Sequence, residues 1–175
     1  MSTFYYLILF TIIISILLVI YVVIYNKIQN QILKLKETES EIDETLRQKY
    51  DLIVKIIEII NDKELKKISE LKEKDFSSFE FIRKLNEYET KASKIRNDNK
   101  KLLKNEELNN NFNEVNEINT KLTAQIRYYN DNTSIYNKLF VSFPSNIIAK
   151  ISKLEERMYF DGKNLSDDIE KDFKL

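Results

Sequence analysis

Few side chains in this sequence could carry out chemistry. It has no cysteine and no histidine. That excludes disulfides, thiolate and imidazole metal sites, and Cys- or His-based nucleophilic catalysis. It leaves the cellular compartment open. Carboxylates are abundant, but no pair carries an acid–base signature. Asp161, Asp167, Asp168, Glu170 and Asp172 offer oxygen ligands, yet without the spaced loop and turn glycine of an EF-hand. A single glycine in the whole chain also rules out a Gly-rich phosphate cradle. No catalytic, cofactor-binding or metal-ligating residue is therefore expected, and the protein is not read as an enzyme.

Two constellations remain. The first is a Tyr-Asn repeat, Tyr129-Asn130, Tyr136-Asn137 and Phe143-Pro144-Ser145-Asn146, at seven-residue steps. Seven residues are nearly two helical turns, so Tyr129, Tyr136 and Phe143 share one face and Asn130 and Asn137 the face beside it. Together with Pro144 and Asn146 they form an interaction surface or, on the plainer account, internal packing. In the plainer account the rings fill a seam and the amides satisfy buried polar groups. The second is a basic cluster, Lys91, Lys94, Arg96, Lys100, Lys101 and Lys104, diluted by Asp98, Glu106 and Glu107. It is either a solvated loop or a contact for anionic lipid through Lys94, Arg96, Lys100, Lys101 and Lys104. Arg47, Lys49 and Asp51 flank Tyr50, and an Asp51–Arg127 pair is conceivable; an exposed pair of that kind contributes only ~0–1 kcal/mol.

What positions these residues begins with residues 4–25, FYYLILFTIIISILLVIYVVIY, with no charge, glycine or proline. At ~1.5 Å per residue the segment spans roughly 33 Å as a helix, enough for a hydrocarbon core of ~30 Å. Tyr5, Tyr6, Tyr21 and Tyr25 sit toward its ends, as interface anchors do. No Lys or Arg precedes it, whereas Lys27, Lys34, Lys36, Arg47 and Lys49 come after it. The positive-inside rule then puts residues 1–3 outside and the remainder in the cytoplasm. A signal peptide would need a basic n-region, a shorter apolar core and a small-residue cleavage site, none of which is present. The 28 basic and 28 acidic residues cancel, so no global field draws nucleic acid.

After the membrane segment the pattern is helical throughout. Ile28, Ile32, Leu35, Glu39, Ile42, Leu46, Tyr50, Ile53, Ile57 and Ile60 form a heptad-like seam, with an extra step of four at Leu46–Tyr50. Asn61-Asp62-Lys63 is the turn, with Asp62 as a cap. Residues 63–97 give a second helix, striped by Leu65, Ile68, Leu71, Phe79, Ile82, Leu85, Tyr88, Ala92 and Ile95. Phe76 and Phe81 widen that stripe, and Ser77-Ser78 marks an irregularity. The Asn-rich run 97–111 is expected to be a loop with frayed helix ends. A third helix runs from about Leu108 to Ser142, with Leu108, Phe112, Val115, Ile118 (or Asn119), Leu122, Ile126, Tyr129, Tyr136 and Leu139-Phe140 inward, and Pro144 stops it. Ser145 should cap a short helix carrying Ile147, Ile148, Ile151, Leu154 and Met158 on one face, ended by Gly162. Residues 163–175 read as a polar flexible tail. The expected fold is all-α: a transmembrane helix continuous with an antiparallel bundle (26–162) of three long helices plus a short C-terminal one. Up-down order predicts that the 61–63 turn meets the Phe143-Pro144 corner at the membrane-distal tip, and that the 97–107 loop lies near the bilayer.

The Tyr50-Asp51-Leu52-Ile53 stretch, the Tyr-Asn repeat ending in Phe-Pro-Ser-Asn, Ile147-Ile148-Ala149 and Tyr159-Phe160 together resemble the LemA family of bacterial membrane-anchored helical proteins. The resemblance also covers Tyr25-Asn26 after the membrane segment and reaches about Asp161. It departs where the family usually has an aromatic (Glu39) and a proline (Val54). It implies a short external N-terminus, one membrane helix and a helical bundle. It implies no enzyme activity, because the family has no established biochemical function. The expectation is a structural or protein-interaction module at the inner face of the cell membrane. The alternative is a sensor or regulator relaying a signal along the first helix. The expected partners are the membrane, with anionic lipid, and another protein; a homo-oligomer is compatible with the pattern.

Overall fold

The structure is a computed structural model that describes residues 2–73 and 77–160. Their regular elements are helices, with no strand among the described residues: α1 (Ser2–Ile60), a 3-10 helix (Leu65–Glu73), α2 (Ser78–Asp98), α3 (Lys100–Leu103), α4 (Glu106–Val141) and α5 (Ser145–Ile151). α1 is unbroken for 59 residues, as expected from a stretch without glycine or proline. Its apolar N-terminal part is long enough to cross a membrane, and none of that window is buried by the rest of the chain. The expectations placed on Phe76, on Asp161 and the carboxylates beyond it, on Gly162 and on the tail lie outside the described residues.

Two compact units divide the chain. Of the described residues, one contains 2–36 and 130–159, and the other contains 37–129 with Phe160.

In the second unit the seam of α1 is buried at Ile42, Leu46, Ile53, Ile56 and Ile57. The helix closes at Asn61, whose φ of 57° is a left-handed conformation that Asn tolerates better than most residues. The Asp62 carboxylate then accepts from the Glu64 and Leu65 amides at 2.8 and 3.1 Å, the expected cap. The next segment is not an α-helix. Leu65, Ile68 and Leu71 are buried at a strict spacing of three, which suits the three-residue turn of a 3-10 helix, where i and i+3 eclipse. A capping box opens α2: the Ser77 hydroxyl accepts from the Glu80 amide, and the Glu80 carboxylate accepts from the Ser77 amide. The irregularity expected at Ser77-Ser78 is thus a helix start.

That break changes the topology. Asp43 of α1 pairs with Ser78 at the start of α2, and Lys49 pairs with Asn86 and Glu89 further along it. The partners advance together, so α1 and α2 run in the same direction, not antiparallel as expected. The return from Ile60 to the level of Asp43, ~25 Å along α1, is made by the 3-10 helix, ~18 Å at ~2 Å per residue, and its connections. α2 and α4 run oppositely, since Glu89 bonds Asn119 and Arg96 lies over Phe112. The connection between α2 and α4 therefore lies at the Ile60 end of α1, whereas α1 leads to the apolar segment through its Glu37 end. It is not the expected Asn-rich loop. Asn99 caps α3 by accepting from the Lys101 amide at 3.0 Å, and Asn105 accepts from the Leu108 amide at 2.9 Å at the start of α4. Asparagine there caps helices instead of dissolving them.

The first unit holds the base of the apolar segment together with the C-terminal part of α4 and α5. Ile28 and Leu35 of α1 are buried, as are Thr133, Tyr136, Asn137, Leu139, Ile148 and Ala149. The Phe143-Pro144 corner belongs to this unit. Ser145 makes no side-chain cap; α5 starts behind Pro144 without one. Nor does α5 reach Met158. It closes at Ile151, where Lys153 takes the left-handed conformation (φ 50°) and the Leu154 amide donates back to the Ala149 carbonyl at 3.1 Å. Lys153 thus makes the helix-ending turn assigned to Gly162.

Candidate interaction surfaces

The Tyr-Asn repeat is divided by the fold. Tyr129 is buried; its hydroxyl donates to Glu39 at 3.1 Å, and its ring meets Phe160 edge-on at 6.2 Å. Phe160 in turn meets Phe79 edge-on at 6.2 Å. Glu39, the polar interruption of the α1 seam, therefore has a partner. Tyr136 is buried as well, donating to the Glu155 carbonyl at 2.9 Å. Burial pushes its pKa up, and nearby Arg157 opposes that shift only in part. Asn137 is 2% exposed and doubly engaged. Its amide nitrogen donates to the Arg157 carbonyl at 2.8 Å, and its amide oxygen accepts from the Arg157 N–H at 2.9 Å. This is the pairing one strand offers another, supplied by a side chain. It holds residues 154–159, which form no helix of their own, and meets their backbone hydrogen-bonding needs.

Asn130, Pro144 and Asn146 are half-buried, and Phe143 is 80% exposed. The first two rings of the repeat pack inward and the third faces out. The repeat misleads because α4 ends at Val141; Phe143 lies beyond the helix whose face the spacing assigns it to.

The basic cluster is likewise dispersed. Arg96 stacks on Phe112 with 4.2 Å between guanidinium carbon and ring centroid, a cation–π contact within the unit. Lys94, Lys100, Lys101 and Lys104 are exposed, but at the Ile60 end of α1.

Sequence reasoning missed one polar centre. Lys49 is fully buried. Its ammonium lies 2.8 Å from a Glu89 carboxylate oxygen and donates to Asn86, while Asn119 donates to the other Glu89 oxygen at 2.9 Å. Three helices, α1, α2 and α4, are tied by one ion pair and two amides. Beside it an open groove of ≈ 410 Å³ is lined by Asn86, Glu89, Thr90, Asn119, Leu122 and Thr123. The signal was in the sequence. The regular heptad steps from Ile42 and Leu46 lead to Lys49 and then Ile53, and the extra step to Tyr50 arises only when a lysine is kept outside. Gln31 plays a similar role in the other unit, donating to the side chain and the carbonyl of Asn132 at 2.7 and 3.2 Å.

Fold and polar centres define a class: an all-helical protein with one candidate membrane helix, whose buried polar groups fasten helices to one another. The LemA family model matches residues 38–173, and the chain belongs to the LemA family. The match begins at Thr38, so the apolar segment stands outside it. No curated protein and no solved structure matches the chain.

Proposed function

We propose that the protein is a membrane-tethered structural and protein-interaction module, with residues 26–160 at the inner face of the cell membrane. The observation that carries this reading is α1. It is a single unbroken helix whose apolar part the rest of the chain leaves bare, and whose continuation enters both units. A bilayer is the surrounding that such a segment fits. The polar centres support a scaffold: a buried ion pair and amide clamps hold helices in place, and the groove beside Glu89 is open. The basic residues after the apolar segment favour the cytoplasmic orientation. Protease added to spheroplasts should leave residues 26–160 intact until the membrane is permeabilised. Digestion from outside would reverse the orientation. Crosslinking in native membranes through the exposed α2–α4 face should then yield a defined protein partner.

The continuity of α1 also favours a relay, in which events at the membrane segment reach the module through the helix. Two glycines inserted between Asn26 and Lys27 separate the readings: partner crosslinking that persists across the break supports the module and counts against the relay.

A further inference from the structure

We infer that the corner between α4 and α5 is seated in the anionic lipid interface of the bilayer that α1 spans. The inference rests on the reading of α1 as a membrane span and adds a second lipid contact within the same unit.

Position comes first. Asn132 lies against Gln31, and the nine residues after it in α4 stay with the N-terminal part of α1. They carry the chain ~13 Å toward the apolar segment. That is the level of Tyr21, Ile24 and Tyr25, which are half-buried although the apolar residues before them are exposed. Tyr21 and Tyr25 stack at 5.9 Å, a position typical of aromatic anchors at the headgroup level.

Surface chemistry agrees. Val141 is 75% exposed, Phe143 80%, Ile147 48% and Ile151 65%. Ile148 and Ala149 on the other side of α5 are buried, so one face of this short helix is held by the protein and the other is bare. In water a bare patch of this kind is unfavourable and marks a contact site. Charge selects the occupant: Lys138, Lys150 and Lys153 are exposed and are the charged residues of the stretch 132–153 itself, while the exposed carboxylates Asp131, Glu155 and Glu156 lie just outside it. Apolar side chains rimmed by lysines, beside a membrane helix, match an interface of acyl chains under anionic headgroups.

The chain has no cysteine, so single probes can be placed in the full-length protein at Ile14, Phe143, Ile151 and Lys101. Each cysteine variant is labelled with an environment-sensitive fluorophore and reconstituted in vesicles of phosphatidylcholine and phosphatidylglycerol. Quenching by nitroxide on the upper acyl chain is then read. Phe143 and Ile151 should be quenched several-fold more than Lys101, with blue-shifted emission, and the difference should shrink in phosphatidylcholine alone. Quenching at Ile14 with Phe143 and Ile151 at the Lys101 level would overturn the corner while leaving the membrane span standing. Loss of quenching at Ile14 as well would overturn both. A blue-shifted Phe143 probe shielded from nitroxide and from aqueous iodide would assign the patch to a protein partner and refute the lipid contact.

Discussion

The two units solve the problem of buried polar groups differently. The unit carrying residues 37–129 buries a charge, Lys49, and neutralises it with Glu89. The unit carrying the apolar segment buries Gln31, Asn132, Thr133 and Asn137, all neutral, and engages Gln31, Asn132 and Asn137 through amides and backbone. Desolvating an amide costs far less than desolvating an ion, and a bonded amide recovers most of that cost. A neutral clamp that loses one partner strands no charge, whereas a buried ion that loses its partner is left uncompensated in low dielectric. In the other unit water still reaches Glu89, at 21% exposure.

This contrast can be broken at several points. The largest effect should come from Glu89→Gln, which strands the buried ammonium of Lys49. A loss of about 3 kcal/mol is expected for a buried pair missing one partner, read from denaturant unfolding of the full chain in detergent. Lys49→Met combined with Glu89→Gln should recover much of it, because no charge is then left buried. A double variant as unstable as the single one would mean the pair does not set the cost. Next comes Asn137→Ala, which removes both bonds to Arg157. It should cost about 2 kcal/mol and make residues 154–159 the first site of proteolysis. Unchanged protection there would remove the clamp from the account. Tyr136→Phe deletes one bond, for about 1 kcal/mol. It also bears on pH. The folded-state pKa of Tyr136 is raised above the ordinary 10.0, mainly by burial, so its contribution is complete below that value and is lost as pH rises through the folded value. The wild-type chain should lose stability in that alkaline window more steeply than Tyr136→Phe. Smallest of all is Lys84→Ala, which removes an exposed pair with Glu87 and should shift stability by less than about 0.5 kcal/mol.

How much of this was legible depends on what periodicity can encode. The unbroken first helix, the seam from Ile28 to Ile57, the Asp62 cap and the span of α4 are all marked by residue type and spacing, because burial on one side leaves a repeating pattern. The direction of α2 leaves none. Both Leu65-Ile68-Leu71 and the residues after Ser77 fit a single long helix if 3.6 residues per turn is assumed throughout. Only the strict threes, together with the Ser77–Glu80 capping box, distinguish a tight helix and a new start after it. The Asn-rich run is ambiguous because asparagine favours loops and helix caps alike. Lys49 was legible by register and hidden by residue type. The clamp from Asn137 to Arg157 had no sequence signal, since a side chain that pairs with backbone is indifferent to which residue supplies it.

The parallel course of α1 and α2 is the feature that separates this fold from an up-down bundle, and one crosslink tests it directly. With cysteine introduced at Asp43, a second cysteine at Ser78 or at Asn97 is joined by a short thiol-reactive crosslinker in native membranes. The parallel arrangement predicts rapid linkage of Asp43→Cys to Ser78→Cys and none to Asn97→Cys. The opposite pattern would contradict it and make α2 antiparallel to α1.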